Sequence, residues 1–117
     1  MDAQHIFIAL TNPAPGREKE FNQFYDEVHV PDVLGSAGWV AAQRYRLSSE
    51  QRPDQSPPWM YLAVYEVTCP EGEILAPLKL RPDVGPHGRP DPPLWADDHQ
   101  AWIYTKHGPR HVQKPNT

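Results

Sequence analysis

Residues 21–47, FNQFYDEVHVPDVLGSAGWVAAQRYRL, contain a helix, a turn and a strand in direct succession. Four apolar side chains recur at the helical spacing i, i+3, i+4 and i+7, namely Phe21, Phe24, Tyr25 and Val28. This spacing places them on one stripe of a helix whose remaining residues are polar or charged. Pro31 disfavours the helical conformation of Val30, so we expect the helix to stop near His29.

The sequence as a whole predicts four strands and a second, weaker helix. Short runs rich in β-branched and aromatic residues predict strands at 5–11, 39–47, 59–67 and 99–107. Residues 31–35 predict one further helical turn, and Pro77 makes 71–80 a short or broken helix. The order β-α-β-β-α-β is the ferredoxin-like pattern, an α+β fold with an antiparallel sheet and both helices on one face. We expect a single domain over 1–108 and a C-terminal tail over 109–117.

The composition excludes several classes of protein. The net charge is −4 with neutral histidines and the eleven basic residues are scattered, whereas nucleic-acid binding needs clustered Lys and Arg. No run of about 18 apolar residues occurs, so we expect no membrane span. The single cysteine, Cys69, excludes an internal disulfide. The first residues lack the positive region of a signal peptide, so we expect a cytoplasmic protein.

The end of the first helix is the leading candidate for chemistry. Tyr25 and His29 are four residues apart and Asp32 follows three later, so all three can project to one side. The negative end of the helix dipole and a nearby carboxylate both favour a protonated histidine, as a general base requires when it takes up a proton. The alternative, that His29 only caps the last carbonyls of the helix, is equally compatible with the spacing. Tyr25, on the apolar stripe, is also a candidate core residue.

The strands supply further candidates. Alternation along the first strand puts His5 and Phe7 on one face and Ile6, Ile8 and Leu10 on the other, and the aliphatic face is expected to be the drier one. Arg44 alternates with Gln43 and Tyr45, so the strand face that carries it must meet water, a carboxylate or an anionic ligand. Tyr61 and Tyr65 share a face of the third strand, and Trp102 and Tyr104 share a face of the fourth. Such aromatic walls suit a pocket for a flat ligand, a core or a dimer interface equally well.

A metal site is not expected. The six histidines do not fall in a recognised ligand spacing. Residues 81–93 hold five prolines and two glycines and are long for a structureless loop, so we expect a functional element such as a lid.

Residues 21–47 resemble the dimeric α+β barrel superfamily, in particular its EthD-like branch. The positions that carry the resemblance are Phe24, Tyr25, His29, Pro31, Gly38 and Arg44. The likeness is good over 5–67 and weaker over 68–117, where Pro77 and the Pro/Gly-rich loop stand in place of a longer regular helix.

The resemblance implies a homodimer whose two sheets face each other as a barrel, with a small-molecule pocket between the sheet and the helices of each protomer. Members of known activity are mostly cofactor-free, so we expect no cofactor, although a heme-using branch exists. A histidine on the first strand and another near the second helix serve some cyclases; His5 matches the first, and His87 is a loose candidate for the second. The candidate substrate-binding residues are His5, Phe7, Phe24, Arg44, Tyr61, Tyr65, His87 and Trp102.

Three functional hypotheses stay open. The leading one is a cofactor-independent lyase, isomerase or cyclase that abstracts a proton next to a carbonyl of an aromatic or polyketide-like compound. His29 is its base and Asp32 orients the ring, while Tyr25 or Arg44 stabilises the oxyanion. The second is a non-catalytic dimeric binding protein for a hydrophobic metabolite. The third is a heme- or oxygen-dependent monooxygenase with the same fold.

Overall fold

Four antiparallel strands form one sheet in the computed structural model, which describes residues 2–55, 58–79, 90 and 92–115. The strands are β1 (His5–Thr11), β2 (Trp39–Arg46), β3 (Tyr61–Val67) and β4 (Gln100–Thr105). Their order across the sheet is β2-β3-β1-β4, so β1 is a central strand between β3 and β4. The ferredoxin-like α+β fold expected from the sequence is confirmed.

One helical segment connects β1 to β2, and its backbone hydrogen bonding changes from the α-helical to the π-helical pattern and back. It consists of α1 (Glu18–Phe24), a π-helical turn at Tyr25–His29 and α2 (Val30–Val33). The N–H of Val30 donates to the carbonyl of Tyr25, five residues back, and Val30 itself is α-helical with φ −62° and ψ −48°. The expected stop near His29 is therefore wrong. Pro31 lies in the first turn of α2, directly after the change of register, and helical first turns tolerate proline.

The second helical element is α3 (Ala76–Lys79), which includes Pro77. It lies within the range 71–80 where a short or broken helix is expected, and residues 80–89 lie outside the described part of the chain. Within the described part of the chain, no helix is long and apolar enough to cross a membrane.

The helical segment covers one face of the sheet, and this face carries the core. Phe21 and Tyr25 pack against Tyr61, Tyr65 and their neighbours. The buried apolar residues are Phe21, Tyr25, Val33, Trp39, Tyr61, Ala63, Tyr65, Val67, Ile74 and Leu94. Every second residue of β3 from 61 to 67 belongs to this set, as expected for a strand with one covered face.

The expectation that the aliphatic side of β1 is the drier one is wrong for this chain. His5, Phe7 and Thr11 share the side of β1 opposite to the aliphatic residues. His5 and Thr11, at the two ends of the strand, are buried. The aromatic stripe of the helix packs on the aromatic side of the sheet, since the ring centroids of Phe21 and Tyr61 are 5.2 Å apart. On that side Phe7 contacts Trp39 and Tyr65, with centroids 5.1 and 6.1 Å apart. The other face of the sheet is open and carries Tyr45, Trp102 and Tyr104, each more than half exposed.

The chain before β4 returns to the loop after β1. Pro13 and Trp95 form an antiparallel bridge. The N–H of Ala14 donates to the carbonyl of Leu94 at 2.8 Å, and that of Ala96 donates to Asn12 at 2.8 Å. These bonds place Trp95 beside the helical segment.

Candidate active site

His29 lies at the end of the π-helical turn, surrounded by aromatic rings. Its ring centroid is 4.8 Å from that of Tyr25, edge to face, 5.9 Å from Trp95 and 6.2 Å from Phe24. The His29 side chain is half-buried, so the ring is held in place and still meets solvent. A histidine that must accept a proton from a bound molecule needs both properties.

The structure brings Trp95 into this cluster, a residue that the sequence analysis missed. Its centroid is 6.1 Å from that of Tyr25 and 6.2 Å from that of Phe24. Trp95 follows the Pro-rich stretch and belongs to no periodic pattern, so its position depends on the bridge to Pro13. The one sequence signal that could have singled out Trp95 is that an aromatic residue follows a proline cluster.

Arg44 on β2 anchors the helix over the sheet. Its Nη1 donates to Asp26 Oδ1 and its Nη2 to Asn22 Oδ1, both at 2.9 Å. Its guanidinium carbon lies 4.7 Å from the ring centroid of Tyr25 and 5.2 Å from that of Tyr61. Since both terminal nitrogens already bond to helix side chains, Arg44 fixes the position of the Tyr25 ring.

Two buried phenols lie beneath the helix. Tyr25 is 4 % exposed, and its hydroxyl is hydrogen-bonded to Thr11; burial raises the pKa of Tyr25, while Thr11 and Arg44 act against this. Burial likewise raises the pKa of Tyr65, and the neighbouring Tyr25 adds to the shift. Both groups are therefore neutral hydrogen-bond donors at neutral pH rather than bases.

The hydroxyl of Tyr65 is the more unusual of the two. The residue is 2 % exposed, and this oxygen is buried with no hydrogen-bond partner among the described residues. Buried polar groups are nearly always paired, so an unpaired one is a sign of function or of a bound group.

Asp32 lies in α2, three residues after His29, and its side chain is half-buried. It is therefore on the helical turn that follows the aromatic cluster.

Tyr61 supports the cluster from β3. Its hydroxyl donates to Glu18 Oε2 at 2.5 Å and accepts from Asn22 Nδ2 at 2.9 Å. Its ring lies 5.2 Å from that of Phe21, so Tyr61 ties the sheet to α1.

The other predicted residues lie elsewhere. His5 is buried at the far end of β1 from Thr11, about 20 Å along the strand, and its Nδ1 is 2.9 Å from Thr105 Oγ1. Trp102 belongs to the open face of the sheet. Phe7 is partly buried and packs against the core. His87 and most of the expected lid over 81–93 lie outside the described residues.

No group of three or more His, Cys, Asp or Glu side chains suited to hold a metal ion occurs among the residues that the structure describes.

Similarity to known proteins is visible in structure and not in sequence. No protein-family model matches the sequence, and no curated protein matches it. A crystal structure of an ethyl tert-butyl ether (EthD) family protein from Bacillus halodurans C-125 superimposes with a TM-score of 0.59, covering 89% of this chain and 99% of the other. The chain has an EthD-like fold. The sequence identity to this EthD family protein is 13%, so the likeness shows the fold alone.

Within the EthD-like fold, the helical segment and the aromatic side of the sheet hold Tyr25, His29 and Trp95 together.

Proposed function

We propose that the protein is a cofactor-independent enzyme that abstracts a proton next to a carbonyl of a small aromatic or polyketide-like compound. The observation that carries the proposal is the His29 ring, half-exposed and held against Tyr25, Phe24 and Trp95. π-Helical turns occur frequently at functional sites, and this one ends at His29.

The chemistry follows from these groups. The neutral His29 imidazole takes the proton from the carbon next to the carbonyl, and the electron pair moves onto the carbonyl oxygen. A neutral phenol, from Tyr25 or Tyr65, donates a hydrogen bond to that oxygen, which lowers the barrier. Asp32 stabilises the imidazolium and orients the ring. Return of the proton to a different carbon gives isomerisation. If the enolate carbon instead attacks a second carbonyl of the same molecule, a carbon–carbon bond closes a ring and the new alkoxide takes the proton from His29. If a group on the adjacent carbon leaves with its bonding electron pair, the enolate becomes an unsaturated ketone and the leaving group takes that proton.

The aromatic surroundings support the proposed substrate class. Three rings around His29 offer flat apolar surfaces, and an aromatic substrate gains stacking and edge-to-face contacts there in addition to its buried area.

We further propose that two copies pair through the open face of the sheet. This face exposes Tyr45, Trp102 and Tyr104 beside the aliphatic residues of β1. An exposed apolar surface of this kind is typical of an interface. Light scattering at micromolar concentration measures the mass directly: a dimer is expected, and a monomer that persists at high concentration contradicts the pairing.

Proton abstraction can be measured without knowing the product. Aryl ketones and short β-polyketones are incubated with the protein in deuterium oxide, and loss of the proton next to the carbonyl is followed by proton NMR. The wild type is expected to catalyse this exchange, and His29→Ala is expected to reduce the rate by about 10²–10⁴-fold. His107→Ala, an exposed histidine beyond β4, is the matched control and should keep the wild-type rate.

A His29→Ala protein with the wild-type exchange rate would overturn the proposal. Tight binding of the same ketones without exchange in either protein would also overturn it, in favour of a binding protein.

A further inference from the structure

The residues that follow β4 form an exposed, basic segment. Residues 106–115, called the C-terminal arm from here on, are exposed at every position, and Val112 is 68 % exposed. The arm holds Lys106, Arg110 and Lys114 and no Asp or Glu. The chain before it therefore has eight basic residues against fifteen acidic ones, so a positive arm follows a negative body.

A cavity of about 400 Å³ lies beside β4, on the face of the sheet that the helical segment covers. Ile103 and Thr105 of β4 form one wall. Their partners in β1 are Phe7 and His5, on the core side of that strand. The other lining residues run from the chain after β3 into α3, namely Glu71, Gly72, Ile74, Leu75 and Ala76. Leu75 is 42 % exposed and Ile103 is 37 % exposed, so the described residues leave this apolar surface partly open.

The charges beside the cavity complement those of the C-terminal arm. Glu71 lines the cavity and Glu73 follows two residues later, both with exposed side chains. Among the described residues neither carboxylate forms an ion pair, and no basic side chain of the arm forms one. In an extended chain Arg110, Val112 and Lys114 project to one side. An apolar side chain between two cations thus matches an apolar cavity beside two carboxylates.

Within one chain both surfaces stay exposed, and Val112 does not belong to the lining of the cavity. We propose that the C-terminal arm of one copy lies in this cavity of a second copy, with Val112 against Leu75 and Ile103. The two cations beside Val112 then meet the two carboxylates of the cavity. The docking rests on the proposed pairing of two copies through the open face, and it does not compete with that pairing because the cavity is on the opposite face.

The arm is long enough for this exchange. β4 is an edge strand, so the cavity beside it can be reached round the edge of the sheet. The seven residues from Thr105 to Val112 span about 23–25 Å when fully extended. Two sheets packed face to face lie only about 10 Å apart.

A disulfide between two copies tests the contact. Both copies carry Cys69→Ser, which removes the single cysteine. One copy also carries Val112→Cys, and the other carries Leu75→Cys and an added peptide tag, so the mixed dimer is identified by its mass. Under oxidising conditions we expect a disulfide that joins the two copies. Gln51→Cys in place of Val112→Cys is the matched control, since residue 51 is also exposed, and should give a yield about tenfold lower because only docked positions come within disulfide distance.

Charge reversal tests the ion pairs separately. Arg110→Glu together with Lys114→Glu should raise the Kd of the dimer about threefold to tenfold, measured by analytical ultracentrifugation. Adding Glu71→Lys and Glu73→Lys to the same chain should restore the wild-type Kd. A merely disturbed fold would not recover in this way.

The outcomes separate the docking of the arm from the pairing of the sheets. Three results would overturn the docking while the wild type remains a dimer by light scattering. The first is a disulfide yield no higher than that of the control, and the second is a reversed arm that the reversed cavity does not rescue. The third is a disulfide within one chain of a Leu75→Cys, Val112→Cys protein at a concentration where it is dimeric, because each arm then fills its own cavity. A wild type that stays monomeric at high concentration would overturn the pairing and the docking together.

Discussion

Removal of the Tyr65 hydroxyl should stabilise the protein. In Tyr65→Phe the ring stays in the core, 2 % exposed, and only the oxygen without a described partner is lost. Burying a hydroxyl with no hydrogen bond costs about 1–3 kcal/mol in protein mutational data. Part of this is offset by the contacts that the oxygen makes with its neighbours, so we expect the free energy of unfolding to rise by about 1 kcal/mol. For a domain of this size that corresponds to an increase in Tm of about 3–5 °C.

Urea denaturation followed by circular dichroism measures this change, with the slope against urea expected to match that of the wild type. Tyr61→Phe is the matched control, because its hydroxyl bonds to both Glu18 and Asn22. That variant should lose about 0.5–1.5 kcal/mol per hydrogen bond. A Tyr65→Phe protein that is less stable than the wild type by 1 kcal/mol or more would refute the reasoning, since the hydroxyl would then have a stabilising partner.

Three further predictions concern the same core. Burial raises the pKa values of Tyr25 and Tyr65, so the unfolded chain loses these protons at lower pH than the folded protein does. The free energy of unfolding should therefore fall above about pH 10, by about 1.4 kcal/mol per pH unit for each phenol. Tyr65→Phe should lessen that slope in alkaline urea titrations. Gly38→Ala should cost about 1–3 kcal/mol in the same assay, because Gly38 has φ +82° and a Cβ there would collide with Cys69 Sγ; wild-type stability would contradict the geometry. Arg44→Lys should cost about 1–2 kcal/mol and broaden the ring signals of Tyr25 in NMR spectra, since Lys cannot bond to both Asn22 in α1 and Asp26 in the π-helical turn while lying over the rings. Sharp, unshifted signals would show that Arg44 does not fix them.

The sequence predicts the strands well because their patterns are local. β1 has the predicted bounds, and β2, β3 and β4 differ from the predicted ranges by one or two residues at their ends. Alternation also separated the residues of β1 into the correct two sets. It could not say which set meets the helix, because that depends on how the aromatic stripe of the helix packs.

The π-helical turn and Trp95 show where local patterns stop being sufficient. Sequence rules for proline predict a break before Pro31, and they do not anticipate a change of register that places Pro31 in a new first turn. Trp95 reaches His29 through a bridge to Pro13, more than eighty positions away in sequence. His29 and Tyr25 were found because they are neighbours on one helix, and their contact with Trp95 required the fold.

The position of β1 between β3 and β4 has a consequence for biosynthesis. His5 and Thr105 are 100 positions apart and meet through their side chains as sheet partners. At about 5–20 residues per second, a ribosome delivers β4 roughly 5–20 s after β1. Until then one edge of a central strand has unpaired N–H and C=O groups beside apolar side chains, which is a template for pairing with other nascent chains. The yield of native protein is thus expected to depend on translation rate and on chaperones that shield β1 during this interval.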